Sequence, residues 1–126
     1  MEAKEIKKVN KDSKEFVFDA SEYILGRLAT EISIILQGKH EASYEPRLAG
    51  SDRVLVKNAG KIKVTGRKMK EKMYHRSSQR PGHLRSETLE ELLEKQPTEA
   101  LRRAVYNMLP KNRLRQKRMN RLTIEA

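Results

Sequence analysis

Residues 16–38 read FVFDASEYILGRLATEISIILQG, and residues 53–58 read RVLVKN. Phe16-Val17-Phe18 is a short β-prone run closed by Asp19-Ala20-Ser21. After it, Ile24, Leu28, Ile32, Ile35 and Leu36 recur at helical spacing and make one stripe about a third of a turn wide. That stripe predicts a helix with its apolar side in the core. Asp19 or Ser21 can cap its start, and Gly38 can end it. Val54-Leu55-Val56 is a short unbroken apolar run, the pattern of a strand covered on both faces in a parallel sheet. Strand, helix and strand in that order predict a right-handed crossover unit. The fold class is therefore α/β, with a small, mostly parallel sheet flanked by helices.

Upstream of this unit, residues 1–14 are polar, with Lys4, Lys7, Lys8, Lys11 and Lys14 set among acids. They have little to bury and read as a flexible arm, or one ordered only by a partner. Residues 15–126 read as a single domain, since the whole chain of 126 residues has the commonest domain size. Downstream, Asn58-Ala59-Gly60 is a turn. Lys61-Ile62-Lys63-Val64-Thr65 alternates strictly and predicts a strand with one wet, basic face, ended by Gly66. Arg67 to Arg85 has no apolar period and reads as a long basic loop, with a hairpin or strand near Met73-Tyr74. Thr88 and Glu91 have capping-box spacing ahead of a short helix that buries Leu89, Leu92 and Leu93. Ala100, Leu101, Ala104, Val105 and Met108 form the stripe of a further helix between Pro97 and Pro110. Arg102, Arg103 and Asn107 lie outside that stripe. Residues 112–121 are compatible with a basic C-terminal helix whose apolar side, Leu114, Met119 and Leu122, is thin.

The charge is distributed unevenly. The chain carries 28 Lys/Arg against 17 Asp/Glu, a net of +11. Residues 1–56 hold 9 basic and 10 acidic residues, and residues 57–126 hold 19 and 7, so the whole excess lies after residue 56. It concentrates in Lys57 to Arg85, where Glu71 is the one acid, and in Lys111 to Arg121, which has none. A merely solvated surface mixes its signs; this pattern reads as a basic footprint for a polyanion.

Several classes are excluded by what the sequence lacks. It has no cysteine, hence no disulfide framework and no thiolate zinc site. No apolar run approaches the ~20 residues of a membrane span, and the first ten residues lack the apolar core of an export signal. The expectation is a soluble, cytoplasmic protein without a membrane partner. Gly38-Lys39-His40 looks like the end of a phosphate-binding loop, but Ser33 stands where that motif needs glycine and His40 where it needs Ser or Thr. There is no G-x-G-x-x-G dinucleotide fingerprint. His40, His75 and His83 lack metal spacing among themselves, and Ser77-Ser78 has no nucleophile elbow around it. No enzyme, cofactor, metal or small-molecule substrate is expected. An enzyme acting on a phosphorylated substrate would have to use a mouth near Ser21 and Gly38.

Nucleic-acid chemistry fits better. Lys and Arg neutralise phosphates and release counterions, and the arginine fork binds phosphate bidentately and stacks on bases. Tyr74-His75-Arg76 puts flat rings within the basic loop, suited to splayed RNA bases. Helix-turn-helix DNA binding, from the helices around Pro97 and Pro110, is the nearest alternative, but it leaves the crossover unit unexplained. The reading is a polyanion binder, with structured RNA favoured over DNA.

The motifs also resemble a known family. Tyr23 to Thr30 contains LGRLAT, Gly38-Lys39-His40 is followed by Tyr44 and Pro46, Asn58-Ala59 is followed by Lys61-Ile62 and Val64-Thr65-Gly66, and Met108 to Asn112 reads MLPKN. In this order and spacing they resemble the large-subunit ribosomal protein L-thirteen family, from about Phe16 to Ile124, with Leu122 aligned to a closing strand. The resemblance implies a three-layer α/β domain. It also implies a ribosome component that binds large-subunit ribosomal RNA and neighbouring ribosomal proteins during assembly and does no chemistry. Asn107 and Arg115 stand where the family usually has glycine, Arg80-Pro81-Gly82-His83 alters its glycine-rich loop, and its usual tail after the last strand is expected to be missing.

The expected RNA-binding residues fall in three groups. Lys63, Arg67, Lys68, Lys70, Lys72, Tyr74, His75, Arg76, Arg80, His83 and Arg85 come from the basic loop and its approach. Lys111, Arg113, Arg115, Lys117, Arg118 and Arg121 come from the C-terminal helix. Lys39 and His40, by resemblance, face RNA past the first helix. Arg27 can pair with RNA, orient the Gly38 turn, or pair with Glu31 one helical turn on, and Tyr44 can be packing or contact.

Overall fold

Phe16, Val17 and Phe18 are all buried at the centre of the sheet. The computed structural model describes residues 5–10 and 13–126. Strand β2 (Ser13–Asp19) lies between β1 (Glu5–Asn10), to which it is antiparallel, and β3 (Arg53–Lys57), to which it is parallel. The last strand, β6 (Leu122–Ile124), adds parallel to the other side of β3, giving the order β1-β2-β3-β6. In register, Phe16 faces Val54 and Phe18 faces Val56, while Val54 and Val56 meet Leu122 and Ile124.

The helix joining β2 to β3 is α1 (Leu25–Gln37). It buries Leu25, Leu28, Ala29, Ile32, Ile35 and Leu36 against Phe16, Phe18, Val54 and Val56. Each such Leu or Ile contributes about 1.5–3 kcal/mol by leaving water, so this stripe dominates the core. Gly38 ends the helix at φ 79°, where its N–H donates to the Ile35 carbonyl at 3.0 Å and the Lys39 N–H to the Ile34 carbonyl at 3.1 Å. At the other end the cap differs from expectation. Ile24 occupies the cap position and its side chain makes no capping bond. Asp19 instead caps a 3-10 turn over Ala20–Glu22, accepting from Ser21 N at 3.1 Å, Ser21 Oγ at 2.6 Å and Asn58 Nδ2 at 3.1 Å. The connection between strand and helix, Ala20 to Ile24, is long enough to divert a good capping residue to a turn of its own.

Both-face burial holds for Phe16, Val17 and Phe18 of β2 and is partial for β3. Val54 and Val56 are sealed under α1, while Leu55 on the opposite face is only half-buried, and its neighbour Thr123 is exposed. The reading of residues 1–14 as an arm also differs from the structure over Glu5–Asn10, which form the edge strand, and over Ser13 and Lys14, which begin β2. Residues 1–4, 11 and 12 lie outside the described residues. Edge pairing rests on backbone hydrogen bonds, and lysine-rich edge strands are common, so hydropathy alone missed it.

The expected strand over Lys61–Thr65 is reduced to a single bridge. Ala59–Lys61 is a 3-10 turn, after which Lys63 N donates to the Tyr23 carbonyl at 3.2 Å and Leu25 N to the Lys63 carbonyl at 2.9 Å. The alternation survives in the burial: Ile62 is buried, Val64 half-buried, and Lys61, Lys63 and Thr65 are exposed.

The basic segment that follows is structured. It forms a helical turn, α2 (Lys68–Glu71), and an antiparallel hairpin of β4 (Met73–Ser77) and β5 (Leu84–Thr88). The hairpin separates from the main sheet, and every residue from His75 to Ser86 is exposed. A lone hairpin is marginal in water. This one is anchored at its base, where Tyr74 packs on the Leu89, Leu92 and Ala100 cluster and Leu89 N donates to the Lys72 carbonyl at 3.0 Å. Next, α3 (Leu89–Lys95) starts with the expected capping box: Glu91 N donates to Thr88 Oγ1 and Thr88 N to Glu91 Oε2, each at 3.3 Å. Then α4 (Pro97–Met108) packs Leu101 and Val105 into the core shared with α1. The C-terminal helix α5 spans only Leu114–Met119.

Candidate nucleic-acid interface

The exposed cations gather on three elements. Arg67, Lys68, Lys70 and Lys72 surround α2, and Arg76, Arg80 and Arg85 project from the hairpin with His75 and His83. Between Lys72 and Ser86 the sequence has no acid. His75 is tied across the hairpin, its Nδ1 2.7 Å from Ser86 Oγ. Lys111, Arg113 and Lys117 are exposed around α5, and Lys63 and Arg27 are exposed near the start of α1. Among the described residues no ion pair joins Arg27 to Glu31, which leaves the arginine free for another partner. One cleft, of about 640 Å³, opens between the start of α1, residues 64–72 and α4. Its floor is apolar, from Leu25, Val64, Leu89 and Met108, and its rim carries Arg67, Lys68 and Lys72.

Two of the expected RNA contacts turn inward. Arg118 is only 1% exposed and donates from Nη2 to the Leu48 carbonyl at 3.0 Å. Arg121 donates to three carbonyls: Leu36 at 2.7 Å, Asp52 at 2.5 Å, and Ala49. Burial holds its guanidinium below the usual arginine range, with the Asp52 charge opposing and the Arg118 charge adding to the shift. Both arginines fasten the segment between α1 and β3, which has few apolar residues of its own. A six-residue helix has to turn some positions inward, and its thin apolar side leaves a long arginine to fill that role.

His40 is likewise engaged within the protein. Its Nε2 lies 2.8 Å from Asp52 Oδ2, and its ring meets Phe16 edge-on at 5.3 Å. Asp52 is buried and also accepts from Lys14 N at 2.9 Å. With Glu41, these two form the group among the described residues whose ligand atoms lie close enough for a metal. The Lys14 ammonium, 3.3 Å from Glu41, opposes a cation there, and the direct His40–Asp52 contact already satisfies both partners. The group reads as a pin holding the end of α1 to the start of β3. Lys39 beside it is exposed.

The mouth that an enzyme would need does not form. Ser21 and Gly38 lie at opposite ends of α1, whose 13 residues separate them by roughly 20 Å.

The structure brings forward residues that the sequence reading passed over. Glu99, Arg102, Arg103 and Tyr106 lie on one face of α4 and line a second cleft, opposite Tyr74 and Arg76 of β4 and Gln116 of α5. Arg115 stacks on Tyr106, with Cζ 3.8 Å from the ring centre and Nη2 2.7 Å from the hydroxyl. Arg103 lies 5.2 Å from the Tyr74 ring centre and pairs with Glu99 at 3.0 Å. The available signal was the spacing of three and four residues along the polar side of α4.

Comparison with known proteins identifies relatives over most of the chain. The family model described as Ribosomal protein L13 matches residues 13–124. The Large ribosomal subunit protein uL13 of Legionella pneumophila (strain Corby) is 49% identical over 111 residues, covering 88% of this chain and 77% of that protein. The protein of the same name from Aquifex aeolicus is 44% identical over 124 residues, covering 98% and 86%. That from Synechocystis is 44% identical over 117 residues, covering 93% and 78%. The matched region contains strands β2, β3 and β6 of the main sheet, the anchored hairpin and the α4–α5 segment. This chain belongs to the ribosomal protein L13 family, a family of ribosomal structural proteins and not of enzymes.

Proposed function

We propose that this protein is a structural component of the large ribosomal subunit in the cytoplasm, where it binds large-subunit ribosomal RNA and touches neighbouring ribosomal proteins. The observation that carries the reading is the hairpin. It exposes Arg76, Arg80 and Arg85 away from the core, with no acid between Lys72 and Ser86. A protruding two-stranded element with one sign of charge and no apolar face of its own is suited to lie against phosphates. Arg67, Lys68, Lys70 and Lys72 continue that surface on one side, and Lys111, Arg113 and Lys117 add a second patch. Lys39, Lys63 and Arg27 are exposed at the margins. Phosphate neutralisation supplies affinity here, and RNA shape supplies the choice of site. The deciding experiment is sedimentation with large ribosomal subunits. The protein should travel with them at moderate salt and be stripped at high salt. A protein that stays at the top of the gradient under both conditions refutes the reading.

A further inference from the structure

The cleft between β4, α4 and α5 has a composition unlike the rest of the basic surface. Its volume is about 520 Å³, within the range of ~300–1,000 Å³ typical of small-ligand sites. Tyr106 is 38% exposed, yet its ring is held from two directions by one residue, with the Arg115 guanidinium over its face and bonded to its hydroxyl. That leaves a flat, pre-oriented ring backed by a cation. Across the cleft, Tyr74 carries Arg103 and Lys72 near its own ring, at 5.2 and 5.5 Å. Arg76 and Arg102 are exposed on the cleft wall, and neither has a carboxylate partner among the described residues. The one acid in the lining, Glu99, is already paired with Arg103.

We propose that this cleft receives one unpaired nucleotide of the bound RNA, its base against the Tyr106–Arg115 stack and its phosphate between Arg76 and Arg102. The inference rests on the RNA-binding reading above and adds a specific subsite to it. Unstacked bases are taken up on tyrosine rings and arginine planes and read along their edges by amide side chains. Asn107 and Gln116 supply such amides at the cleft's lining. A peptide would be recognised by apolar anchors in dry pockets, and the side chains here are mostly charged or polar.

The test uses the full chain and protein-free large-subunit ribosomal RNA. After ultraviolet cross-linking of the wild-type complex, a nucleotide adduct is expected on the peptide containing Tyr106 or on that containing Tyr74. Filter binding then compares Tyr106→Ala, Tyr106→Phe and Arg115→Ala. Loss of one stacked base corresponds to roughly a 5- to 150-fold weaker Kd, so Tyr106→Ala should fall in that range while Tyr106→Phe stays near wild type. The salt slope of Tyr106→Ala should match wild type, because no phosphate contact is lost. Steep, salt-dependent binding without an adduct at either tyrosine, and with Tyr106→Ala binding as tightly as wild type, overturns the subsite and leaves the RNA-binding reading standing. Absence of any RNA binding by the wild type removes both. The cross-link is read on the wild type, so a variant that fails to fold does not remove the test.

Discussion

Arg121 Nη1 donates to the Asp52 carbonyl at 2.5 Å, joining two residues 69 positions apart. The same guanidinium holds the Leu36 carbonyl at the end of α1 and the Ala49 carbonyl in the following segment. Arg118 secures Leu48 beside them. The stretch from the end of α1 to the start of β3 is therefore held by arginine donors from the C-terminus, in a place where the sequence offers few apolar side chains.

The basic C-terminal segment accordingly divides into two kinds of residue. Arg121→Ala leaves several carbonyls without donors and should destabilise the fold by about 2–3 kcal/mol, given ~1–3 kcal/mol per unsatisfied buried group and partial rescue by water. The melting temperature should drop by roughly 10 °C. Arg118→Ala should fall at least as far, since the side chain is almost fully buried. Arg113→Ala and Lys117→Ala, both exposed, should melt like wild type and instead weaken RNA binding. Thermal denaturation followed by circular dichroism checks the division, and equal melting temperatures for all four variants would abolish it.

Gly50 and Gly38 give a second contrast. Both are left-handed, at φ 85° and 79°. A Cβ on Gly38 meets nothing within 4 Å, whereas one on Gly50 comes 3.3 Å from both Arg121 Nη2 and the Leu36 carbonyl. Gly38→Ala should cost only the backbone strain, about 1 kcal/mol. Gly50→Ala should cost about 2–3 kcal/mol, because it also displaces the guanidinium from a carbonyl. Urea midpoints of the two variants measure the difference. Gly50→Ala in an Arg121→Ala background should lose most of its extra penalty, as expected for neighbours that share a contact.

How much of this was legible in the sequence depends on what stabilises each part. Strand β2, helix α1 and strand β3 are fixed by burial of Phe16, Phe18, Leu28, Ile32, Leu36, Val54 and Val56, and such burial leaves a periodic signal. The same holds for Leu101 and Val105 on α4. The Thr88–Glu91 capping box was legible because its chemistry is local. The β4–β5 hairpin was only half visible, since its strands bury almost nothing and no period-two pattern results. Arg118 and Arg121 were least legible. An arginine that binds backbone carbonyls has the same one-letter code as one that binds phosphate, and which it does depends on contacts some seventy residues away. The same holds for His40, whose partner Asp52 lies across the turn between α1 and β3.

Tyr74 should titrate abnormally. Burial pushes its phenol above the usual tyrosine value, and the nearby Arg103 charge partly offsets that. In the folded state the neutral form is thus favoured more than in the unfolded chain. Its contribution to stability is full below the unfolded value of about 10 and is lost as pH rises through the higher folded value. Absorbance at the phenolate band should show a late-titrating component that Tyr74→Phe removes. Arg103→Ala should move that component to still higher pH. Movement to lower pH would mean that the arginine does not face the ring as the structure has it.

The hairpin carries the strongest prediction about RNA. Arg76, Arg80 and Arg85 are exposed on an element outside the main core, so replacing all three with alanine should leave the melting temperature within about 2 °C of wild type. If each arginine neutralises one phosphate, the slope of log K against log salt should flatten by roughly 2 to 3, at ~0.7–0.9 per contact. The wild type, with roughly six to eight phosphates engaged, should lose about 10³-fold in affinity or more between 50 and 200 mM salt. The triple variant should lose far less over the same range, and the two curves should converge at high salt. Parallel curves would mean that the hairpin's arginines touch no phosphate. Affinity would then have to come from the α2 cluster and the patch around Lys111, Arg113 and Lys117, where the same substitution series would locate it.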